Sequence, residues 1–461
     1  MHAPVPAFGR RAAPSETVAA KPDPAPAAAV LAASAAATPP TAEPLIAELR
    51  AMCLSKLDPS AVATQPAEVL IPQVELLISE IATERRIQLN GREQRQLATE
   101  LVDDMLGLGP LEPLLEDESI NDIMVNGPNS VFVERRGKVF AAAVRFRDTA
   151  HLINVCQRIA AAVGRRVDES SPMVDARLKD GSRVNIVVPP LALDGPYVSI
   201  RKFSKKSIDF AKLIEFGAMS RTLARVLEIA GQIRLNIIIS GGTGSGKTTL
   251  LNATSRLIDH GERVVTVEDA AELQLQQPHV VRLETRPANL EGRGEINQRD
   301  LVRNALRMRP DRIIIGEVRG SEAFDMLQAM NTGHDGSMST IHANNTRDAI
   351  TRIENMVQMG SMGLPLSAIR TQIVSAVDII VQTERQRDGG RRITQVTEIC
   401  GMEGDVVLLN DIFQLVIEGQ NSDGRLITRY RTIRNRPAFH DRLVYFGLER
   451  AWASAMEEVD D

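Results

Sequence analysis

At 461 residues, with 43% hydrophobic but only 3% aromatic side chains, the chain is long enough for more than one domain and must build its cores from aliphatic groups. Its net charge of -5 argues against nucleic acid as the main partner, because neutralising phosphates takes a basic face. No apolar run of about eighteen residues is present to span a membrane, and Cys53, Cys156 and Cys400, with no Cys-x-x-Cys pair, fit a reducing compartment and no zinc site.

Residues 1–43 are rich in alanine and proline and carry too little apolar bulk to offset their ordering entropy, which predicts disorder. Ala27 to Ala37 lacks a basic start and sits among prolines, so it does not read as a signal core. Residues 44–106 turn helical, with Leu76, Leu77, Ile81, Leu97, Leu101, Val102 and Leu106 at helical spacings. Over 107–205 short strand-like runs (Ile123 to Val125, Val131 to Glu134, Val139 to Phe146, Val184 to Val188, Tyr197 to Arg201) surround one helix, His151 to Val163, which predicts a compact α+β domain. The polar stretch 206–221 reads as a linker. From residue 222 strands and helices alternate, predicting an α/β domain with a mainly parallel sheet covered on both faces, followed beyond Arg391 by a β-rich stretch and a last helix near Leu443 to Met456.

The densest signal in that second half is Gly241, Gly242, Thr243, Gly244, Ser245, Gly246, Lys247, Thr248 and Thr249, between an Ile-rich run and a helical one. Strand, glycine loop, Gly-Lys-Thr and helix make a phosphate-binding loop. Glycines let successive N–H groups point into one concavity, and the helix adds its positive end. Lys247 is expected on the β- and γ-phosphates of a nucleotide and the Thr248 hydroxyl on magnesium.

Val267 to Glu272 places carboxylates at a strand end, where a parallel sheet faces its ligand. There Glu272 would orient or deprotonate an attacking water, with Glu268 and Asp269 supporting magnesium-bound waters. Arg309 to Arg319 is an apolar strand ending in Gly316-Glu317, and Glu317 is expected to hold magnesium through water. His334 and His342 flank a further short strand. They are either nucleotide sensors or hydrogen-bonded loop histidines, and their spacing does not suit a helical metal pair. Arg183 and Arg201, in the earlier domain, read from their local sequence as surface salt-bridge formers, the alternative being arginines that reach a γ-phosphate.

Assembled, these residues resemble the secretion ATPases of type II secretion, type IV pili and type IV secretion over Leu106 to Thr383, and most closely the Tad/Flp pilus assembly ATPases (CpaF, also called TadA). Gly241 to Thr248 is similar to the family's Walker A loop, Val267 to Glu272 to its Asp box, Arg309 to Arg319 to its Walker B segment and Thr332 to Asn344 to its His box. Gly107 to Lys138 and Asp168 to Phe203 resemble the Tad group's N-terminal domain. Ala270 stands where many members have proline, and the tetracysteine zinc module of other branches is missing.

The resemblance implies a RecA-like ATPase domain and a homo-hexameric ring with ATP and Mg2+ between two domains of each chain. Glu272 is then the catalytic glutamate, Glu317 the Walker B acid, His334 and His342 the His-box pair, and Arg183 and Arg201 arginines brought to the phosphates. It further implies a cytoplasmic motor docked on inner-membrane platform proteins and powering Tad/Flp pilus assembly. The rival expectations are a type IV secretion traffic ATPase moving DNA or protein, and a regulator that binds nucleotide without turning it over.

Overall fold

The computed structural model describes residues 43–57, 65–135, 137–203, 208–288, 292–360 and 363–457. All of the stretch expected to be disordered except Glu43 lies outside them. The chain divides into two compact units, Met1–Gly109 and Pro110–Asp461.

In the first unit three helices, Glu43–Lys56, Ala67–Glu84 and Gly91–Leu106, are described. The last one starts where it does because Asn90 accepts from the Glu93 N–H while Glu93 accepts from the Asn90 N–H, both at 2.9 Å. Leu70, Val74, Ile78 and Ile81 on the second helix, and Leu97, Leu101 and Val102 on the third, recur every three or four residues and close one core with Leu49 and Cys53.

The second unit holds two sheets. The smaller is six-stranded and antiparallel, built from β1 (Asp122–Asn126), β2 (Val131–Arg135), β3 (Lys138–Ala141), β4 (Met173–Arg177), β5 (Arg183–Val187) and β6 (Tyr197–Arg201) in the order β3-β2-β1-β6-β5-β4. Val184, Ile186, Val198 and Ile200 are buried, so by alternation Arg183, Asn185, Ser199 and Arg201 line the opposite face. The helix Thr149–Ala162, capped by the Asp148 carboxylate on the His151 N–H, buries Leu152, Val155, Cys156 and Ile159.

The larger sheet has nine strands in the order β15-β14-β13-β12-β7-β11-β10-β8-β9. Its strands are β7 (Ile237–Gly241), β8 (Val264–Glu268), β9 (Val280–Glu284), β10 (Arg312–Val318), β11 (Met338–Ile341), β12 (Ile379–Arg385), β13 (Arg391–Glu403), β14 (Val406–Gln420) and β15 (Leu426–Thr432). The run from β12 to β9 is parallel, as expected of this α/β fold. Ile237 and Ile239 enter one apolar core and Ile238 the other, so both faces are covered. Each such residue, fully buried, contributes about 1.5–3 kcal/mol.

One expectation changes. The stretch 206–221 contains a helix, Phe210–Glu215, whose Phe210 and Leu213 are buried in the core beneath the phosphate loop, so it is packed structure rather than a plain tether. The β-rich stretch beyond Arg391 forms β13, β14 and β15, which pair antiparallel in series from β12 and extend the same sheet. Among the described residues no helix is long and apolar enough to cross a membrane.

Candidate functional site

β7 ends at Gly241, and the chain turns through Gly242 to Gly246 into the helix Lys247–Ser255. A Cβ on Gly241 would meet the Thr383 carbonyl oxygen at 2.3 Å and the Ser245 hydroxyl at 2.6 Å, so only glycine lets the loop lie this close to β12. Gly244 and Gly246 take left-handed backbone angles, φ 70° and 102°. Ser245 Oγ lies 2.9 Å from Thr383 Oγ1, which in turn donates to the Ser240 carbonyl at 3.2 Å, and Arg391 Nε donates to the Gly244 carbonyl at 2.9 Å. Both ties hold the loop open.

Lys247 is only 8% exposed. Its ammonium donates to the Gly241 and Gly242 carbonyls at 3.0 and 2.9 Å and stands 3.4 Å from His342 Nε2. Burial lowers its pKa against the opposing pull of Glu317. Glu317 leaves β10 where the β10–β11 register slips between Ile315 and Val318, the irregularity that re-aims a side chain. Its two oxygens are shared between His342 Nε2 at 2.8 Å and Arg319 Nη2 at 2.5 Å. Burial and the nearby Lys247 hold His342 below the ordinary imidazole range, and Glu317 pulls the other way. The same ring nitrogen, Nε2, faces both Glu317 Oε1 and the Lys247 ammonium. Thr340 Oγ1 donates to the Gly316 carbonyl at 2.7 Å and steadies the turn.

β8 delivers the carboxylates of the third wall. Glu268, 3% exposed, accepts from the N–H groups of Glu272 and Leu273 at 2.6 and 2.8 Å through Oε2, while its buried Oε1 has no partner among the described residues. Burial raises the pKa of Glu268 and also that of Asp269. Glu272 reaches out to the smaller sheet, where Arg183 Nη1 holds its Oε1 at 2.6 Å.

That contact belongs to a row. Asp122 on β1 pairs in register with Arg201 on β6, Arg201 with Arg183 on β5, and Arg183 with Arg177 on β4. Three arginines thus stand side by side on the face turned to the crevice. Like charges opposite one another in a ladder are unfavourable, and each here has an anion: Asp122 for Arg201 at 3.1 Å, Glu272 for Arg183, and Glu284 for Arg177 at 3.1 Å.

The crevice has a volume of about 470 Å3 and is lined by Thr243 to Thr249, Glu268 to Ala270, Glu272, Glu317, His342, Arg183 and Arg201, a size that suits a small ligand. Glycine-loop N–H groups, a buried lysine and a helix N-terminus make one wall fit for phosphates, and the Thr248 hydroxyl, Glu317, Asp269 and the unpartnered Glu268 oxygen are hard donors suited to magnesium.

Of the residues singled out in the sequence, Gly241 and Gly242 are not among those lining the crevice, and His334 is not brought to this place. It lies before β11 and sits 3.2 Å from the Ala329 carbonyl through Nδ1, whereas His342 follows β11. A parallel strand separates the two rings, which puts them at opposite ends of the sheet. Glu268 is in the crevice, but half of its carboxylate is committed to backbone. Arg177, Gln298, Arg319, Thr340, Thr383 and Arg391 were not singled out. Arg319 had a signal, since residues two apart on a strand share a face with Glu317. Arg391 had none, because only the β12–β13 hairpin brings it over the loop.

Fold and crevice together define an α/β protein of the phosphate-loop class. Within that class the chain belongs to the type II/IV secretion system protein family, whose model matches residues 104–393. It is 41% identical over 318 residues, 68% of this chain and 89% of the relative, to a Mycobacterium tuberculosis protein provisionally named conjugal transfer protein Rv3659c. It is 35% identical over 291 residues to the conjugal transfer protein TrbB of Rhizobium radiobacter, covering 62% of this chain and 86% of that one. The crystal structure of the VirB11 ATPase from the Brucella suis type IV secretion system in complex with sulphate is similar over 63% of this chain and 96% of that chain, at 31% identity and a TM-score of 0.35.

Proposed function

We propose that this chain hydrolyses ATP with magnesium and converts the loss of the γ-phosphate into motion of its smaller sheet against the larger one. The observation that carries this is the meeting, in one crevice, of the loop residues Thr243 to Thr249 with Lys247 among them, Glu317 and the Arg183–Glu272 ion pair that joins the two sheets. Lys247, now capping its own loop's carbonyls, exchanges them for phosphate oxygens. Thr248 and Glu317 hold magnesium, which neutralises charge on the phosphates. Glu272 orients the attacking water, and Arg183 and Arg201 turn from their carboxylates to the γ-phosphate. When that phosphate leaves, its charged contacts with the arginines are lost, and the smaller sheet is free to shift on the larger one. A regulator that merely holds nucleotide is disfavoured, because Lys247, Glu272 and Glu317 are all present and all reach the crevice.

The transport reading that the named relatives favour is a type IV secretion or conjugation-type traffic motor, working as a cytoplasmic homo-hexamer peripheral to an inner-membrane machine. This is the alternative of the sequence reading, ahead of Tad/Flp pilus assembly. The pilus reading keeps the support of the Gly107–Lys138 and Asp168–Phe203 segments. The acidic net charge favours cargo handled through membrane partners over direct grip on DNA.

Turnover of purified wild-type and Lys247→Ala chains decides the enzymatic part. Normal hydrolysis by the variant, or none by the wild type, refutes it. Stimulation by single-stranded DNA, by type IV secretion membrane components or by pilus platform components then separates the transport readings, and sedimentation with and without nucleotide tests the hexamer.

A further inference from the structure

The segment between β8 and β9 that carries Glu272 has no regular secondary structure of its own. A carboxylate that orients water needs a fixed backbone all the same, since misplacement by about 1 Å can cost about a hundredfold in rate. Among the described residues, four side-chain contacts hold the backbone of residues 271–273. Glu268 Oε2 accepts from the Glu272 and Leu273 N–H groups. Glu284 Oε1 faces the Ala271 N–H at 3.4 Å. The Ala271 carbonyl accepts from Arg177 Nη2 at 3.0 Å. The first three come from the nine-stranded sheet itself. Only Arg177 comes from the six-stranded one, and its other nitrogen, Nη1, pairs with Glu284 Oε2 at 3.1 Å.

Arg177 and Arg183 stand directly opposite each other in the β4–β5 ladder. Neighbouring guanidiniums therefore reach the same three-residue stretch, Arg183 by the Glu272 carboxylate and Arg177 by the backbone one residue earlier. Their duties differ. Arg183 holds a side chain it can release to an entering phosphate. Arg177 holds a carbonyl and a carboxylate, Glu284, that lie outside the phosphate-loop crevice.

We propose that Arg177 is a positioning residue for Glu272: by fixing the Ala271 carbonyl from the smaller sheet, it sets the water-orienting carboxylate only while the two sheets are closed on each other. The proposal rests on the ATP-hydrolysis reading of the crevice. It makes closure a condition of chemistry, because opening withdraws Arg177 and leaves the Glu272 segment held from one side.

The test uses the full chain as wild type, Arg177→Ala, Arg177→Lys, Glu284→Gln and Arg183→Ala, with ATP turnover and binding of a fluorescent non-hydrolysable ATP analogue measured on each. Arg177→Ala is expected to lower kcat by about 10–100-fold while KM and analogue affinity stay within about twofold, and added methylguanidinium is expected to recover part of kcat. Arg183→Ala is expected to change affinity as well as kcat. Arg177→Lys, which keeps the charge but not the fork, is expected in between.

A wild-type kcat in Arg177→Ala, or a loss residing wholly in KM, overturns the proposal. Should Arg177→Ala melt out, Glu284→Gln loosens the same guanidinium without removing it and is expected to lower kcat severalfold at unchanged KM; full kcat there overturns it too. A wild-type chain without turnover sinks the hydrolysis reading, whereas an active wild type with an equally active Arg177→Ala sinks only the positioning role.

Discussion

The two ends of the parallel strands use charge in opposite ways. At the N-terminal ends of β7, β8 and β10, Arg312 is 1% exposed and pairs with both oxygens of Glu262 at 2.6 and 2.9 Å, with Arg234 joining at 3.0 Å. Beside it Asn236 donates to the Ala376 carbonyl at 2.7 Å and accepts the Gly336 and Ser337 N–H groups at 3.0 Å. Asp378 takes the Asn236 N–H at 2.7 Å and Arg442 at 2.9 Å. The packing leaves no slack, since a Cβ on Gly336 would sit 2.4 Å from Arg312 Nη1.

At the C-terminal ends of the same strands the charged groups that face the crevice have partners a ligand can replace. Lys247 caps its own loop, Glu317 is divided between a histidine and an arginine, Glu268 keeps a buried oxygen unpaired, and Glu272 is held by an arginine from the other sheet. A closed buried network locks a fold. A cluster of charges on provisional partners is poised for a ligand that will take those partners over.

Substitutions at the two ends should therefore separate stability from turnover. Arg312→Met leaves Glu262 buried with a broken pair and is expected to cost about 3–5 kcal/mol of folding stability by urea titration, with kcat per folded molecule unchanged. A stable variant, or a folded one that has lost turnover, would erase the distinction. Lys247→Ala is expected to do the reverse, reducing kcat/KM by at least about 10²–10³-fold with a urea midpoint near wild type. The histidines repeat the contrast on a smaller scale. His342→Ala is expected to lower kcat about a hundredfold, the low end of what a positioned acid–base group contributes, whereas His334→Ala should stay near wild type; equal losses would show that both ends serve the reaction.

The smallest effect is in pH. Burial and Lys247 hold folded His342 below its ordinary 6.5. As pH falls through 6.5 the unfolded chain takes up a proton that the folded chain still refuses, so this residue's contribution to stability declines on acidification until the folded pKa is reached. Melting curves of wild type and His342→Asn from about pH 7.5 to 5.5 should converge if this holds. Parallel curves would place the ring's pKa at its free value.

How much of this was legible in the sequence depends on separation along the chain. Gly241 to Thr249 was readable because all of its groups are contiguous, and the backbone of a glycine loop presents its N–H groups wherever it is placed between a strand and a helix. The mainly parallel sheet was readable from strands and helices that alternate. Arg183 was picked out, but as a residue whose local context suggested a surface salt bridge; its partner proved to be Glu272, 89 positions away. Residues 206–221 looked like a tether because they are polar, yet Phe210 and Leu213 find a core that other segments provide.

Sequence by itself determined the phosphate loop, the run of apolar strands and the acids at their ends, because each of these is encoded by neighbours whose geometry follows from local backbone preference. Only the tertiary structure decided that His342 faces Lys247 while His334 lies a strand's length away, that Arg177, Arg183 and Arg201 form one row, and that Glu268 braces the Glu272 segment. Those facts depend on strand register and on which end of the sheet a loop occupies. Register is set by the summed burial of whole strands, to which no single motif gives access.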